Sequence, residues 1–187
     1  MAASTYTENG QVVLDQKIIL GEQYLPTYST GFDQVPSTAT ATAHLLQLMA
    51  GASLNVRVRR IMVYQQVAAT TATIHPLGVV RLSSAGTGGA VPAISPFNPA
   101  DAAAGASAMT LPTVKGAEGV RIDSAVVYLV QTVSASAQIN QPILTWDYTS
   151  SPLIIPAGVN NGIAIKNFAA AAGANVCVVI YFTETSF

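Results

Sequence analysis

The chain has 187 residues, of which 50% are hydrophobic and only 9% are charged, and its eight Lys and Arg against nine Asp and Glu give a net charge of −1. This balance excludes a clustered basic surface for nucleic-acid phosphates as the main activity, and the high apolar content excludes a highly charged disordered chain. Typical soluble domains carry about 25% charged residues. A surface so poor in charge predicts that further protein subunits cover much of it.

The order of the chain predicts a polar arm followed by one β-domain. Residues 1–10 show neither strand alternation nor an apolar run, so we expect an N-terminal arm outside the core. From residue 11 to 187, short β-rich runs separated by Gly, Pro, Asn and Ser predict an all-β, antiparallel β-sandwich of the jelly-roll type. Eight or nine strands are expected, at 12–20, 44–49, 54–65, 70–83, 120–133, 138–145, 153–155, 162–168 and 175–183.

The third predicted strand contains a change of phase. Apolar residues occupy even positions up to Val58 and odd positions from Ile61 onward. Since a strict period of two would turn the second half outward, this shift predicts a β-bulge near Arg59 and Arg60. Arg57 and Arg59 share one face, where they are either simply solvated or hold a carboxylate of a partner through bidentate hydrogen bonds.

Residues 84–112 interrupt the strand pattern. This segment contains four glycines and four prolines among many alanines, and Asp101 is its only charged residue. A connection of this length is uncommon in a compact domain. We therefore expect a long insertion loop, which is either a low-complexity surface segment or an ordered arm that packs on a neighbouring subunit. The low charge favours the arm.

Two predicted strands are apolar on both faces. Residues 125–130 and 176–182 lack the alternation of apolar and polar positions that an antiparallel strand with one wet face shows. A small sandwich has one internal core, so the second apolar face is covered either by this chain's own long segment or by another subunit. We favour a subunit interface around a symmetry axis. The residues assigned to it are Val127, Leu129, Val179 and Tyr181.

The search for chemistry finds no nucleophile elbow, phosphate-binding loop, dinucleotide fingerprint or zinc-protease pair. Cys177 with His44 and His75 falls short of a four-ligand zinc site, and both histidines are expected to be hydrogen-bonded structural residues. Trp146 is expected to anchor the core or an interface. We predict that the chain is not an enzyme and uses no cofactor or metal. No membrane-spanning run or secretory leader is visible, so we expect synthesis in a cytoplasm.

Three parts of the chain resemble a loose family of small structural proteins from tailed bacteriophages and prophages. They are HLLQLMAG (44–51) with VRVRRI (56–61), VRLSSAGTGGA (80–90) with PFNPADAAA (96–104), and PLIIPAG (152–158) with GIAI (162–165) and VCVVIYFTE (176–184). These patterns of apolar residues and turns span most of residues 43–184. Proteins that look like this are often jelly-roll trimers that decorate, or cement, the outside of an icosahedral capsid.

The resemblance implies a capsid decoration protein on the outer surface of a virion head, where a homotrimer bridges capsomers of the major capsid protein. We assign Arg57 and Arg59 to the capsid contact and expect no contact with nucleic acid or membrane. A phage tail-fibre or baseplate module that binds a receptor is the second hypothesis, and a clustered aromatic and acidic groove would favour it. The third is a small glycan-active enzyme on a β scaffold, which requires a convergent carboxylate or histidine pair in a pocket.

Overall fold

The computed structural model describes residues 4–8, 11–15, 25–36, 43–66, 68–69, 73–129, 142–168 and 175–186. Every regular element in these ranges is a β-strand, and no helix in them is long and apolar enough to cross a membrane. The strands are β1 (Ser4–Glu8), β2 (Gln11–Asp15), β3 (Thr27–Pro36), β4 (His44–Met49), β5 (Asn55–Gln65), β6 (Thr73–Leu82), β7 (Ile94–Pro96), β8 (Ser107–Thr110), β9 (Glu118–Leu129), β10 (Leu144–Asp147), β11 (Leu153–Ile155), β12 (Gly162–Asn167) and β13 (Asn175–Thr185).

Strands β3 to β13 form two antiparallel sheets that pack face to face, which confirms the predicted β-sandwich. The first sheet has the order β10-β5-β13-β3-β7, with β11 also paired to β5, and the second has the order β8-β4-β12-β6-β9. Both inner faces feed one core. Its fully buried members include Val56, Ile61, Ile180 and Phe182 from the first sheet and Leu46, Leu48, Leu77 and Ile163 from the second. Burying each such side chain stabilises the fold by about 1.5–3 kcal/mol.

The predicted bulge is confirmed where the sequence indicated it. Burial in β5 alternates up to Val58, is interrupted by two partly exposed residues, Arg59 and Arg60, and then resumes. The ladder to β13 shifts at the same point, since Tyr181 pairs with Arg60 and Phe182 pairs with Val58. The bulge keeps the apolar side chains of β5 in the core and turns two consecutive arginines to the outer face of the sheet.

The segment 84–112 belongs to the sandwich. Its strand β7 pairs with β3 at the edge of the first sheet, and its strand β8 pairs with β4 at the edge of the second. An isolated bridge from Thr87 to Val114 joins it to the chain that follows β8, and a second bridge, from Ala90 to Thr110, joins its first part to β8 itself. The expectation of a long loop is therefore corrected, because the backbone groups of the segment find partners in both sheets of their own chain. Its predicted contact with a neighbouring subunit stays a prediction.

Glu184, near the end of β13, fastens this segment. Its buried carboxylate accepts hydrogen bonds from the backbone N–H groups of Gly105, at 2.9 Å, and Ala106, at 2.7 Å. A carboxylate is tolerated in this position because both of its oxygens receive charge-assisted hydrogen bonds. On the adjacent strand β3, the Tyr28 hydroxyl donates to the carbonyl of Ala102 at 3.0 Å.

The N-terminal region differs from the prediction in one respect. Strands β1 and β2 pair antiparallel in a two-stranded sheet of their own, with Ser4 opposite Asp15 and Glu8 opposite Gln11. The expectation that residues 1–10 lack strand structure was wrong for residues 4–8. Two features of TYTENGQVV could have indicated a strand here. Thr5 and Thr7 alternate with other residues, and the sequence pair Asn-Gly is typical of a hairpin turn.

Candidate functional site

An apolar stripe lies on the outer face of the second sheet, along strands β6 and β9. Ile74 and Val126 are each 66% exposed and Tyr128 is 60% exposed, and Ile74 pairs directly with Tyr128 across the ladder. We call these three residues the apolar stripe. Beside it, Phe168 and Val126 help to line a shallow depression of about 380 Å³. Large apolar side chains grouped on one sheet face are characteristic of a surface that another protein covers.

The stripe corrects the predicted parity of β9. Val127 and Leu129, which the sequence assigned to a subunit interface, are buried in the core of their own chain, and the residues that face outward are Val126 and Tyr128. The two-sided apolar pattern was recognised, but the pattern alone does not tell which side is the core. On β13 the parity agrees with the prediction, since Val179 and Tyr181 lie partly exposed on the outer face.

A second surface, which we call the arginine–aromatic pocket, lies on the outer face of the first sheet. It has a volume of about 510 Å³ and is open to solvent. Four of its residues come from β5, and two more come from β13 and from the turn after β7. They are Arg59, Arg60, Met62, Tyr64, Tyr181 and Phe97, and Thr149 from the turn after β10 completes the lining.

Two arginines of the pocket have different partners. Arg60 donates to a carboxylate oxygen of Asp147 at 2.8 Å, whereas Arg59 donates to the backbone carbonyl of Thr149 at 3.3 Å. The backbone and side chain of Thr149 hold the other Asp147 oxygen. These bonds from Thr149, and then the one from Arg60, lower the pKa of Asp147 to about 2. Arg57, on the same face of β5, lies opposite Ile154 of β11 and is not part of the pocket.

His44 belongs to a chain of hydrogen bonds that begins at Gly86 in the segment 84–112 and ends at Lys166 on β12. The Gly86 N–H donates to Gln47 Oε1 at 2.9 Å, and Gln47 Nε2 donates to His44 Nδ1 at 2.6 Å. His44 Nε2 then donates to Glu118 Oε1 at 3.0 Å, and Lys166 Nζ binds the other oxygen of Glu118 at 2.5 Å. Each donor in this order faces an acceptor, so the chain fits a neutral His44 with its proton on Nε2.

The titration behaviour of this chain follows from burial. Burial is the largest influence on the pKa of His44 and lowers it; the hydrogen bond and charge of Glu118 raise it, the charges of Lys115 and Lys166 lower it, and the net result is a pKa below the ordinary value. Burial also raises the pKa of Glu118, but the hydrogen bonds from Lys166 and His44 outweigh that effect and leave it below its ordinary value. Both ring nitrogens of His44 are thus hydrogen-bonded, as predicted.

His75 departs from that prediction. It is fully buried on β6, and within the described part of the chain neither of its ring nitrogens has a hydrogen-bond partner. Burial alone lowers its pKa. An unpartnered polar ring in a core costs stability, and the sequence offered no signal for it beyond the following Pro76, which restricts His75 to an extended backbone. Trp146, by contrast, is a core residue, which is one of its two expected roles.

Several residues of these surfaces were missed from the sequence. Phe97 lies in a Pro-rich stretch that we read as loop, and Glu118 was one of nine unclustered acids; only the fold brings Phe97 beside Tyr181 and Glu118 beside His44. Among the described residues, no three His, Cys, Asp or Glu side chains are grouped so that they could hold a metal ion. No family model matches the chain, and no curated protein and no solved structure matches it either.

Proposed function

We propose that the chain is a structural virion protein that decorates and stabilises the outside of an icosahedral phage head, where it bridges capsomers as a homotrimer. The resemblance of its apolar and turn patterns to phage decoration proteins supports this role. The antiparallel β-sandwich is compatible with the jelly-roll fold that the resemblance implies. The low charge of the chain supports it as well, since only 9% of the residues are charged.

The observation that carries the proposal is the apolar stripe. Ile74, Val126 and Tyr128 are large side chains that face outward on a pair of hydrogen-bonded strands, and no described part of the chain covers them. Burying each of these side chains in an interface stabilises the assembly by about 1.5–3 kcal/mol. In a closed shell, repetition multiplies modest contacts of this kind through avidity. We assign the stripe to the contact between subunits of the trimer. Arg57 and Arg59 lie on the opposite outer face, and their capsid contact stays a prediction.

A second candidate function is binding of a host receptor. The arginine–aromatic pocket favours it, because the fold collects Phe97, Tyr181 and Tyr64 beside the Arg60–Asp147 ion pair. This is an aromatic groove beside an ion-paired acidic residue, and the sequence alone did not reveal it. The pocket and the stripe lie on opposite faces of the sandwich, so a decoration protein has room for both.

The assembly part of the proposal is tested with an aspartate on the stripe. We expect the wild-type protein to be a trimer at micromolar concentration and the Val126→Asp variant to be a monomer, because each interface would then bury an unpaired carboxylate. Val159→Asp is the matched control, since Val159 is 63% exposed in the turn before β12 and outside the stripe. Sedimentation equilibrium gives the masses. A monomeric wild type, or a Val126→Asp variant that remains trimeric, would contradict the assignment.

A further inference from the structure

The β5 bulge gives the arginine–aromatic pocket two adjacent guanidinium groups. In a regular strand, Arg59 and Arg60 would point to opposite faces, and one of them would enter the core. The bulge places both on the outer face, between Val58 and Ile61, which are fully buried. Bulges are over-represented beside functional sites, where they re-aim a side chain.

The charges of the pocket do not cancel. Asp147 is within ion-pair distance of Arg60. Within the described residues no carboxylate lies within 4.0 Å of Arg59, which holds only the carbonyl of Thr149. The pocket therefore carries one guanidinium without an anionic partner. Because a guanidinium presents a planar fork of N–H donors that matches a carboxylate or a phosphate, a carboxylate is one complementary group for a ligand to carry.

The aromatic side chains define the rest of the ligand. Phe97 is 61% exposed and meets Tyr181 edge to face, with ring centroids 5.8 Å apart. Aromatic faces carry negative charge density, so they attract the C–H groups of a saturated ring. The floor of the pocket is β5, which pairs with β10 and β11 on one side and with β13 on the other. Its backbone groups are engaged in these ladders, so an extended peptide cannot add as a further strand, and recognition relies on side chains.

We propose that the arginine–aromatic pocket binds a carboxylate-bearing saccharide. The carboxylate pairs with Arg59, and the sugar ring packs on Phe97 and Tyr181. The volume of about 510 Å³ lies within the range of small-molecule pockets and accommodates one or two sugar rings. This inference does not need the proposed capsid role. It replaces two earlier assignments, since Arg59 binds a saccharide in place of a capsid carboxylate and Tyr181 contacts the sugar in place of a neighbouring subunit.

The test compares ligands that differ mainly in the carboxylate. The full-length protein is titrated with methyl β-glucuronide and with the methyl glycoside of N-acetylneuraminic acid, and binding is followed by saturation-transfer NMR. Methyl β-glucoside is the neutral control, and acetate is the control for charge alone. We expect at least one acidic sugar to bind with a Kd in the millimolar range and at least tenfold more tightly than methyl β-glucoside or acetate.

Variants locate the binding. Arg59→Gln and Phe97→Ala should each raise the Kd for the acidic sugar at least tenfold. Arg57→Gln, on the same face of β5 but outside the pocket, should leave the Kd within twofold of the wild-type value. These side chains lie outside the core, and circular dichroism checks that each variant is folded. The proposal is overturned if neither acidic sugar binds at 10 mM, if the neutral sugar or acetate binds equally well, or if Arg57→Gln has the same effect as Arg59→Gln.

Discussion

Replacing Leu129 by Asp should strongly destabilise the fold. Leu129 is fully buried at the end of β9, in the core shared by both sheets. Removing a buried leucine side chain typically costs about 2–5 kcal/mol, and a carboxylate placed there without a partner adds to that cost. Because domains of this kind have a total stability of about 5–15 kcal/mol, we expect a loss of more than about 4 kcal/mol in the free energy of unfolding. Urea denaturation followed by circular dichroism measures it.

The neighbouring residue provides the matched control. Tyr128 lies on the same strand with the opposite parity and is 60% exposed, so Tyr128→Asp should leave the free energy of unfolding within about 0.5 kcal/mol of the wild type when both are compared as monomers. The assignment of the two faces of β9 would be wrong if Tyr128→Asp destabilised the chain more than Leu129→Asp.

Lowering the pH from 7.5 to 5.5 should destabilise the fold. Burial holds the pKa values of His44 and His75 below the ordinary value of 6.5 that they regain on unfolding. In this window the unfolded chain therefore binds more protons, and stability falls as the pH falls, by at most about 1.4 kcal/mol per histidine for each pH unit. A proton on Nδ1 of His44 would also face the amide N–H of Gln47 and break the hydrogen-bond chain to Gly86.

Denaturation at several pH values tests this expectation. The window lies above the ordinary pKa of 4.5 for a Glu such as Glu118, whose own pKa is lower still, so that carboxylate stays ionised. In the His75→Met variant the unpartnered ring is replaced by an apolar side chain. We therefore expect its free energy of unfolding at pH 5.5 to exceed that of the wild type, and its unfolding to take up as much as one proton fewer. A pH-independent free energy of unfolding would show that the histidines are not held neutral by burial.

The strong periodic signals of the sequence predicted the centre of the fold. Val58 and Ile61, with opposite phases around two arginines, were sufficient to predict the β5 bulge. Strands β7 and β8 were missed, because they lie in the Gly- and Pro-rich segment that was predicted as a loop; they pair with β3 and β4 at the edges of the two sheets. The ten-residue strand β3 was not among the predicted strands either.

The candidate surfaces were less predictable, because they depend on pairing between distant segments. The two-sided pattern of β9 predicted an exposed apolar face but assigned it to Val127 and Leu129 rather than Val126 and Tyr128. The sequence shows that alternate residues share a face, but which face is buried depends on where the other sheet packs. The arginine–aromatic pocket joins residues 59–64 to Phe97 and Tyr181, which no local spacing could bring together.

The position of the protein on phage particles tests the central claim most directly. Purified virions that contain the chain would be labelled with gold-conjugated antibody and imaged by electron microscopy, with particles that lack the gene as the control. A decoration protein predicts label distributed over the surface of the icosahedral head and none on the tail. Label confined to the tail or baseplate would contradict the capsid role in favour of receptor binding, and virions without label would contradict any structural role in the particle.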